Sequence, residues 1–228
     1  MKDHEDTILA LIAGYVDTLG FVALFGLFTA HVTGNFVLIG AEVAGVGQGA
    51  LLKLLAFPAF IAGIASSSVL FKFLERDHSA HAASALYVFQ AVLLVSFLAT
   101  GLAAAPITDS TASMVLLCGV LGATAMGVQN ARGKLLRTPG LPNTVMTGNV
   151  TQVVLDVVEL IHRGTQGAQG PQVMQRLRST LAAMCGFAVG AICGAVMYVR
   201  FSFAAIALPV AVLLFLAWQA RAWAPASK

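Results

Sequence analysis

Residues 31–42 read HVTGNFVLIGAE and residues 145–156 read VMTGNVTQVVLD, so Thr-Gly-Asn occurs twice, each time with an acid seven residues after the asparagine. Threonine, glycine and asparagine favour turns and helix starts over helix interiors. Gly34 and Gly148 permit a tight turn, Thr33 and Thr147 can cap the following helix, and Asn35 and Asn149 can offer amides. Seven residues make about two helical turns, so Asn35 shares a face with Glu42, and Asn149 with Asp156. Gln152 adds a further amide to the second copy. An amide and a carboxylate on one side of a short helix can line a site for a cation or polar solute. They can equally satisfy backbone groups left open by a helix break, and the sequence leaves both readings open.

Asp17 sits ten residues into an apolar run, in AGYVDTLGF, with no basic residue at helical spacing. An ionisable group at such a depth is costly and marks a functional candidate, here a proton or cation carrier. The bland reading is a hydrogen-bonded staple to a neighbouring helix. His31, two residues before Thr33, is a candidate proton switch, although a lone histidine at a helix end is more often structural. Glu159 lies beside His162 and Arg163 and reads as a solvated helix end. Cys118, Cys185 and Cys193 fit no metal spacing, and an odd apolar set argues against a disulfide framework.

The elements that must position these residues follow from composition. Hydrophobic residues make up 58% of the 228 and charged residues 10%, against about 25% charged in soluble domains. Apolar runs near the roughly 20 residues that span a bilayer recur throughout, at about 7–30, 32–47, 50–74, 84–105, 112–131, 144–162, 179–199 and 202–223. The first follows one lysine and three acids in MKDHED, unlike a cleaved signal, and reads as a retained span. This predicts an all-α polytopic membrane protein, with residues 1–228 forming a single integral membrane domain.

The second and sixth segments, which carry the Thr-Gly-Asn strings, are short or polar for a span. Each is the second of a group of four, and the groups match in order. Thr33-Gly34-Asn35 and Glu42 repeat 114 residues later as Thr147-Gly148-Asn149 and Asp156, and Gly14-Tyr15-Val16-Asp17 faces Gly127-Val128-Gln129-Asn130 at an offset of 113. Asp17 therefore has Asn130, preceded by Gln129, as its repeat mate. Ala59, Gly63 and Ser67 form a small-residue row answered by Gly186, Gly190 and Gly194, the pattern that lets membrane helices pack backbone to backbone.

Charge selects a topology. If the second and sixth segments do not cross, Lys2, Lys72, Arg76, Arg132, Lys134, Arg137, Arg163, Arg176, Arg178, Arg221 and Lys228 share one face, leaving Lys53 and Arg200 on the other. By the positive-inside rule that face is cytoplasmic, and both termini lie on it. The expectation is a first repeat at 7–105 and a second at 112–223, inverted relative to each other, each with about three transmembrane helices plus one short or broken helix. Interrupted helices in inverted repeats meet at midplane sites in many transporters.

The strings AGYVDTLGF, TAHVTGNFVLIGA, MGVQNARGKLL and NTVMTGNVTQ together resemble the YoaK-like family of bacterial inner-membrane proteins, over nearly the whole chain. That resemblance implies a bacterial plasma-membrane location and a transporter-like architecture, and it supplies no substrate. The leading expectation is a small transporter or channel for a proton- or cation-coupled, or neutral, small solute. Its partners would be the lipid bilayer and that solute or ion, with no nucleic acid, no metal site and no cofactor, and a homo-oligomer is compatible. An intramembrane enzyme is the less favoured alternative, because no nucleophile with a base partner and no H-x-x-x-H is present. A non-catalytic membrane scaffold is the third.

Overall fold

The computed structural model describes residues 2–74, 79–136, 146–163 and 170–222, so Arg76, Arg137, Val145 and Lys228 lie outside the described residues. The described chain is helical throughout: α1 Lys2–Ala23, α2 Gly34–Val43, α3 Ala50–Leu74, α4 Ser79–Ala104, α5 Ser113–Leu135, α6 Met146–Arg163, α7 Gly170–Phe201 and α8 Ala207–Ala222, with a 3-10 turn at Ser202–Ile206 between the last two. Five stretches are long and apolar enough to cross a membrane, and the last, Gly170–Ala222, covers both α7 and α8. The helix α2 has ten residues, about 15 Å, against a hydrocarbon thickness of about 30 Å.

Several boundaries differ from the sequence expectation. The first apolar run stops being helical at Ala23, and residues 24–33 form an irregular connection. The seventh segment starts nine residues earlier than expected, at Gly170 rather than 179, because Pro171 suits a first helical turn and the polar GPQVMQRLRS run continues into the span. The eighth opens with the 3-10 turn, where Ser202 has φ 52° and so cannot continue α7.

The lipid-type residues point outward: Phe73, Ile192, Val199 and Trp218 are all exposed. Asp17, Asn35, Gln90, Gln129, Arg132, Asn149 and Asp156 are buried. Polar groups inside and apolar groups outside is the arrangement expected where the surrounding solvent is lipid.

Two parallel helix pairs form the frame. Along α1 and α7, a Cβ built on Gly186, Gly190 or Gly194 would meet the carbonyl oxygen of Thr7, Leu11 or Tyr15 respectively. Both numbers rise together, so the two helices run in the same direction. Along α3 and α5, Leu52 packs on Gly119, and Phe60 and Gly63 pack on Gly127 and Thr124. Further on, Leu70 and Leu74 share a cluster with Leu135 and Leu136, so this pair is parallel too. The closest approaches have the same geometry. A Cβ on Gly14 or Gly190 would fall on the carbonyl of Phe187 or Leu11, and one on Gly127 or Gly63 on that of Phe60 or Thr124. In every case the obstructing carbonyl lies three residues before the partner glycine.

The pairs run in opposite senses. Gln129 near the end of α5 donates to the Leu9 carbonyl near the start of α1 at 2.8 Å, while Leu27, beyond the end of α1, packs on Gly119 early in α5. Ser84, near the start of α4, donates to Ala217, near the end of α8, at 2.9 Å, so these two are antiparallel.

Valine at Gly190 or Gly127 forces backbone apart, and is expected to cost at least the roughly 1–3 kcal/mol typical of overpacking. Gly40, whose added Cβ would meet nothing within 4 Å, is the control: Gly40→Ala should leave stability unchanged or improve it by about 0.5–1 kcal/mol. Melting midpoints of the purified protein in detergent check both, and valine variants as stable as Gly40→Ala would contradict the close crossing.

Candidate functional site

The irregular connection carries the most concentrated buried polar geometry in the first half. Beyond Ala23, Phe25 and Gly26 adopt φ of 51° and 77°, a left-handed pair that reverses the chain. The Gly26 amide donates back to the Phe21 carbonyl at 3.0 Å. Leu24 and Leu27 bury completely, which pulls the connection inward along α1. The Thr29 methyl group wedges between α1 and α5, 2.9 Å from where a Cβ on Gly20 would stand and 3.2 Å from one on Gly122. This brings residues 29–31 beside Asp17, six residues back from the end of α1, or about 9 Å down its axis.

Asp17 takes donors from all three residues. Its Oδ1 accepts the Ala30 amide at 2.7 Å and the Thr29 hydroxyl at 3.3 Å. Its Oδ2 meets His31 Nδ1 at 2.7 Å. Across this contact either the imidazole N–H donates to the carboxylate or a carboxyl O–H donates to the imidazole nitrogen, so the two groups share one proton position. The Asp17 side chain is 4% exposed and that of His31 32% exposed, so the histidine is the accessible end of the pair. The His31 ring lies edge-on to Phe187 of α7, with centroids 5.3 Å apart. The basic partner missing at helical spacing from Asp17 comes from the connection instead.

Asn35 completes the structure. Its Oδ1 accepts the Phe28 amide at 2.9 Å and its Nδ2 donates to the Phe28 carbonyl at 2.8 Å. One amide thus satisfies both polar groups of one residue in an irregular, buried segment, where unpaired backbone is expensive. Of the two readings left open for Asn35, this one is stitching. Gly34 gives room for the Phe28 ring, 3.1 Å from where its Cβ would stand, and shows no left-handed turn. Thr33 occupies the cap position of α2 with helical φ and ψ and makes no capping hydrogen bond. Glu42 faces α3: its Oε1 accepts the Ala50 amide at 2.8 Å and its Oε2 lies 3.7 Å from Lys53. It ties α2 to the start of α3, and the structure does not bring it to Asp17.

The second Thr-Gly-Asn is built differently. Thr147 and Gly148 lie within the first turn of α6 and are exposed, while Asn149 is buried and places its Nδ2 3.8 Å from Met146 Sδ. Asp156, fully buried, accepts Gln152 at 2.8 Å and the Arg176 Nε at 3.0 Å. Glu159 Oε2 is 4.0 Å from the same guanidinium. The shared face of Asn149 and Asp156 exists as expected, and it is turned toward α7. The Arg176 guanidinium, with help from Gln152 and against burial, holds the Asp156 carboxyl below the usual carboxylate range.

Gln129 is buried between α4 and α1, accepting from Gln90 at 2.8 Å and donating to Leu9. Asn130, the repeat mate of Asp17, is partly buried and has a partner of its own. One turn of α5 beyond Gln129, Arg132 is 3% exposed and pairs with Glu5, while the Tyr87 hydroxyl donates to the same Glu5 oxygen. In the sequence Arg132, with Lys134 and Arg137, reads as a topology determinant or as a positive patch able to attract an anion at the cytoplasmic mouth, and nothing there points to Glu5. The pairing of Arg132 with Glu5 across 127 residues leaves no local trace. Among the described residues no three His, Cys, Asp or Glu side chains are placed to hold a metal ion.

Long apolar helices, with large apolar side chains exposed and a minority of polar groups buried within an apolar core, define a multi-pass membrane protein. The chain belongs to the family described as protein of unknown function (DUF1275), whose model matches residues 7–218. It is similar to UPF0700 transmembrane protein YoaK of Bacillus subtilis (strain 168), 28% identical over 152 residues, 66% of this chain and 65% of that protein. The matched stretch thus falls a little short of two thirds of the relative's length. No solved structure matches the chain.

Asn35→Ala leaves a part-buried amide and a part-buried carbonyl unpaired at Phe28, at a cost of up to about 1–3 kcal/mol for each group. The melting midpoint should fall accordingly, and a neutral result would dispose of the stitching role. The lowered carboxyl of Asp156 stabilises the fold above its unfolded-state value of about 4 and ceases to do so as pH falls through the folded value. The acid-side slope of melting midpoint against pH should therefore flatten in Arg176→Gln.

Proposed function

We propose that the chain is a small membrane transporter or channel for a proton- or cation-coupled, or neutral, small solute, with Asp17 and His31 as its proton- or ion-handling pair. One observation carries this reading: a nearly inaccessible carboxylate held by a histidine about one-third exposed, on a folded-back connection. A purely structural staple could be an amide, as Asn35 is, whereas a carboxylate and an imidazole can exchange a proton along their 2.7 Å contact. His31 is the group through which a proton or cation reaches Asp17.

The same reading makes α1–α4 and α5–α8 inverted repeats, with α2 and α6 as the non-crossing members. Support comes from the two glycine crossings, whose partners swap between halves, with α1 against α7 and α5 against α3. It also comes from the opposite directions of α1 and α5 and of α4 and α8. The short α2 begins at the folded-back connection beside α1 and is tied by Glu42 to the first turn of α3, as an element that enters and leaves by one face would be. With the positive charges gathered on the other face, both termini are cytoplasmic in a bacterial plasma membrane. The bilayer and the transported solute or ion are then the partners.

Proteoliposomes with a trapped pH-sensitive dye test this. A potassium-diffusion potential, negative inside, is imposed alone and with inward gradients of amino acids, sugars or divalent cations. Wild type should acidify the lumen under at least one condition, and Asp17→Asn and His31→Gln should each lower that rate at least tenfold while staying monodisperse. Full rates in both variants would end the assignment of the pair, and acidification no faster than empty vesicles under every condition would end the proton-coupled form of the proposal.

A further inference from the structure

A second ion pair made by α1 lies near its opposite end, between Glu5 and the buried Arg132. Glu5 and Asp17 are twelve residues apart on that helix, about 18 Å along its axis. The Glu5 side chain is 34% exposed and the Arg132 side chain 4%. The Arg132 guanidinium stacks on the Tyr87 ring, its carbon 4.6 Å from the centroid, so the plane of the fork is fixed. Yet only one edge atom is used. Arg132 Nη2 reaches Glu5 Oε1, while Arg132 Nε is buried without a hydrogen-bond partner.

The molecule contains its own comparison. Arg176 meets both oxygens of Asp156, Nε donating to Oδ2 at 3.1 Å and Nη2 to Oδ1, the two-point match that a guanidinium and a carboxylate make when free to choose their geometry. Glu5, tied to the first turns of α1, reaches Arg132 Nη2 and leaves the buried Nε–H unsatisfied, which is costly. An untethered carboxylate on the Nε–Nη2 edge would satisfy both. Lys134, in the same last turn of α5, adds positive charge at this end. Asp6, beside Glu5, is already engaged with a partner.

We propose that Arg132 is a binding site for a small carboxylate, and that Glu5 is the chain's own occupant, displaced when the ligand enters. Tyr87 fixes the guanidinium plane and offers its hydroxyl to the incoming carboxylate as it does to Glu5. The site is independent of Asp17 and His31, and the proposal holds or falls without them.

Sodium acetate is the probe, titrated against sodium chloride at matched ionic strength and neutral pH, with the melting midpoint of the whole protein in detergent as readout. Glu5→Ala vacates a carboxylate-sized space, and its midpoint should fall and then recover saturably with acetate, not with chloride. Wild type should show the same saturable rise at an acetate concentration at least tenfold higher, because Glu5 competes. Glu5→Ala combined with Arg132→Gln should show none, and Asp17→Asn should respond as wild type does. If Glu5→Ala fails to fold, Glu5→Gln takes its place, since a neutral amide competes less well than a carboxylate. A variant lacking the Glu5 carboxylate that ignores acetate would overturn the proposal, as would a wild type that never responds. So would a response that survives Arg132→Gln.

Discussion

Everything near Asp17 depends on one constraint: backbone that is neither helix nor strand cannot lie buried in a low-dielectric interior with its amides and carbonyls unpaired. The connection between α1 and α2 is irregular and inward-folded, and two side chains make it tolerable. Asn35 closes both polar groups of Phe28, and Asp17 takes the Ala30 amide and the Thr29 hydroxyl. Having taken those, Asp17 still has an oxygen for His31. The carboxylate is thus an architectural part of the connection and a chemical group at once. Removing its charge is expected to disturb both, which is why the histidine variant is the cleaner probe of chemistry.

The frame that holds this connection is made of contacts between distant parts of the chain. α1 lies against α7 and α3 against α5, and at both crossings a glycine on each helix admits the other helix's carbonyl oxygen. In lipid, apolar side chains gain little from meeting one another, so close backbone approach and buried polar contacts carry helix association. The parallel pairs and the buried amide link from Gln90 through Gln129 to Leu9 are both of that kind.

The sequence made the membrane class, the apolar segments and the buried position of Asp17 legible, because hydropathy and a rare charge within an apolar run are local signals. The small-residue rows were also readable, since spacing of four on a helix defines a face, and each row meets a partner helix, through Ala59 and Gly63 in one and all three glycines in the other. What could not be read was pairing at a distance. Nothing near Asp17 in helical register announced His31, and nothing near Arg132 announced Glu5. The two Thr-Gly-Asn strings looked equivalent, but Asn35 stitches a broken connection while Asn149 sits in the first turn of an intact helix. The difference lies in what precedes each string: a left-handed reversal at Phe25 and Gly26 before the first, and residues outside the described structure before the second. Thr33 shows the limit of capping rules, because its backbone is already helical where a cap should be extended.

The swapped pairing also dictates an order of assembly. As the chain is made, α1 enters the membrane with a buried carboxylate and a bare glycine face, and the helix that covers that face, α7, begins at Gly170. Neither half can complete its own packing, since α3 and α5 also lie on opposite sides of the loop at residues 105–112. A chain cut within that loop would yield two fragments that are each incomplete, and that could regain the native frame only by finding one another in the bilayer.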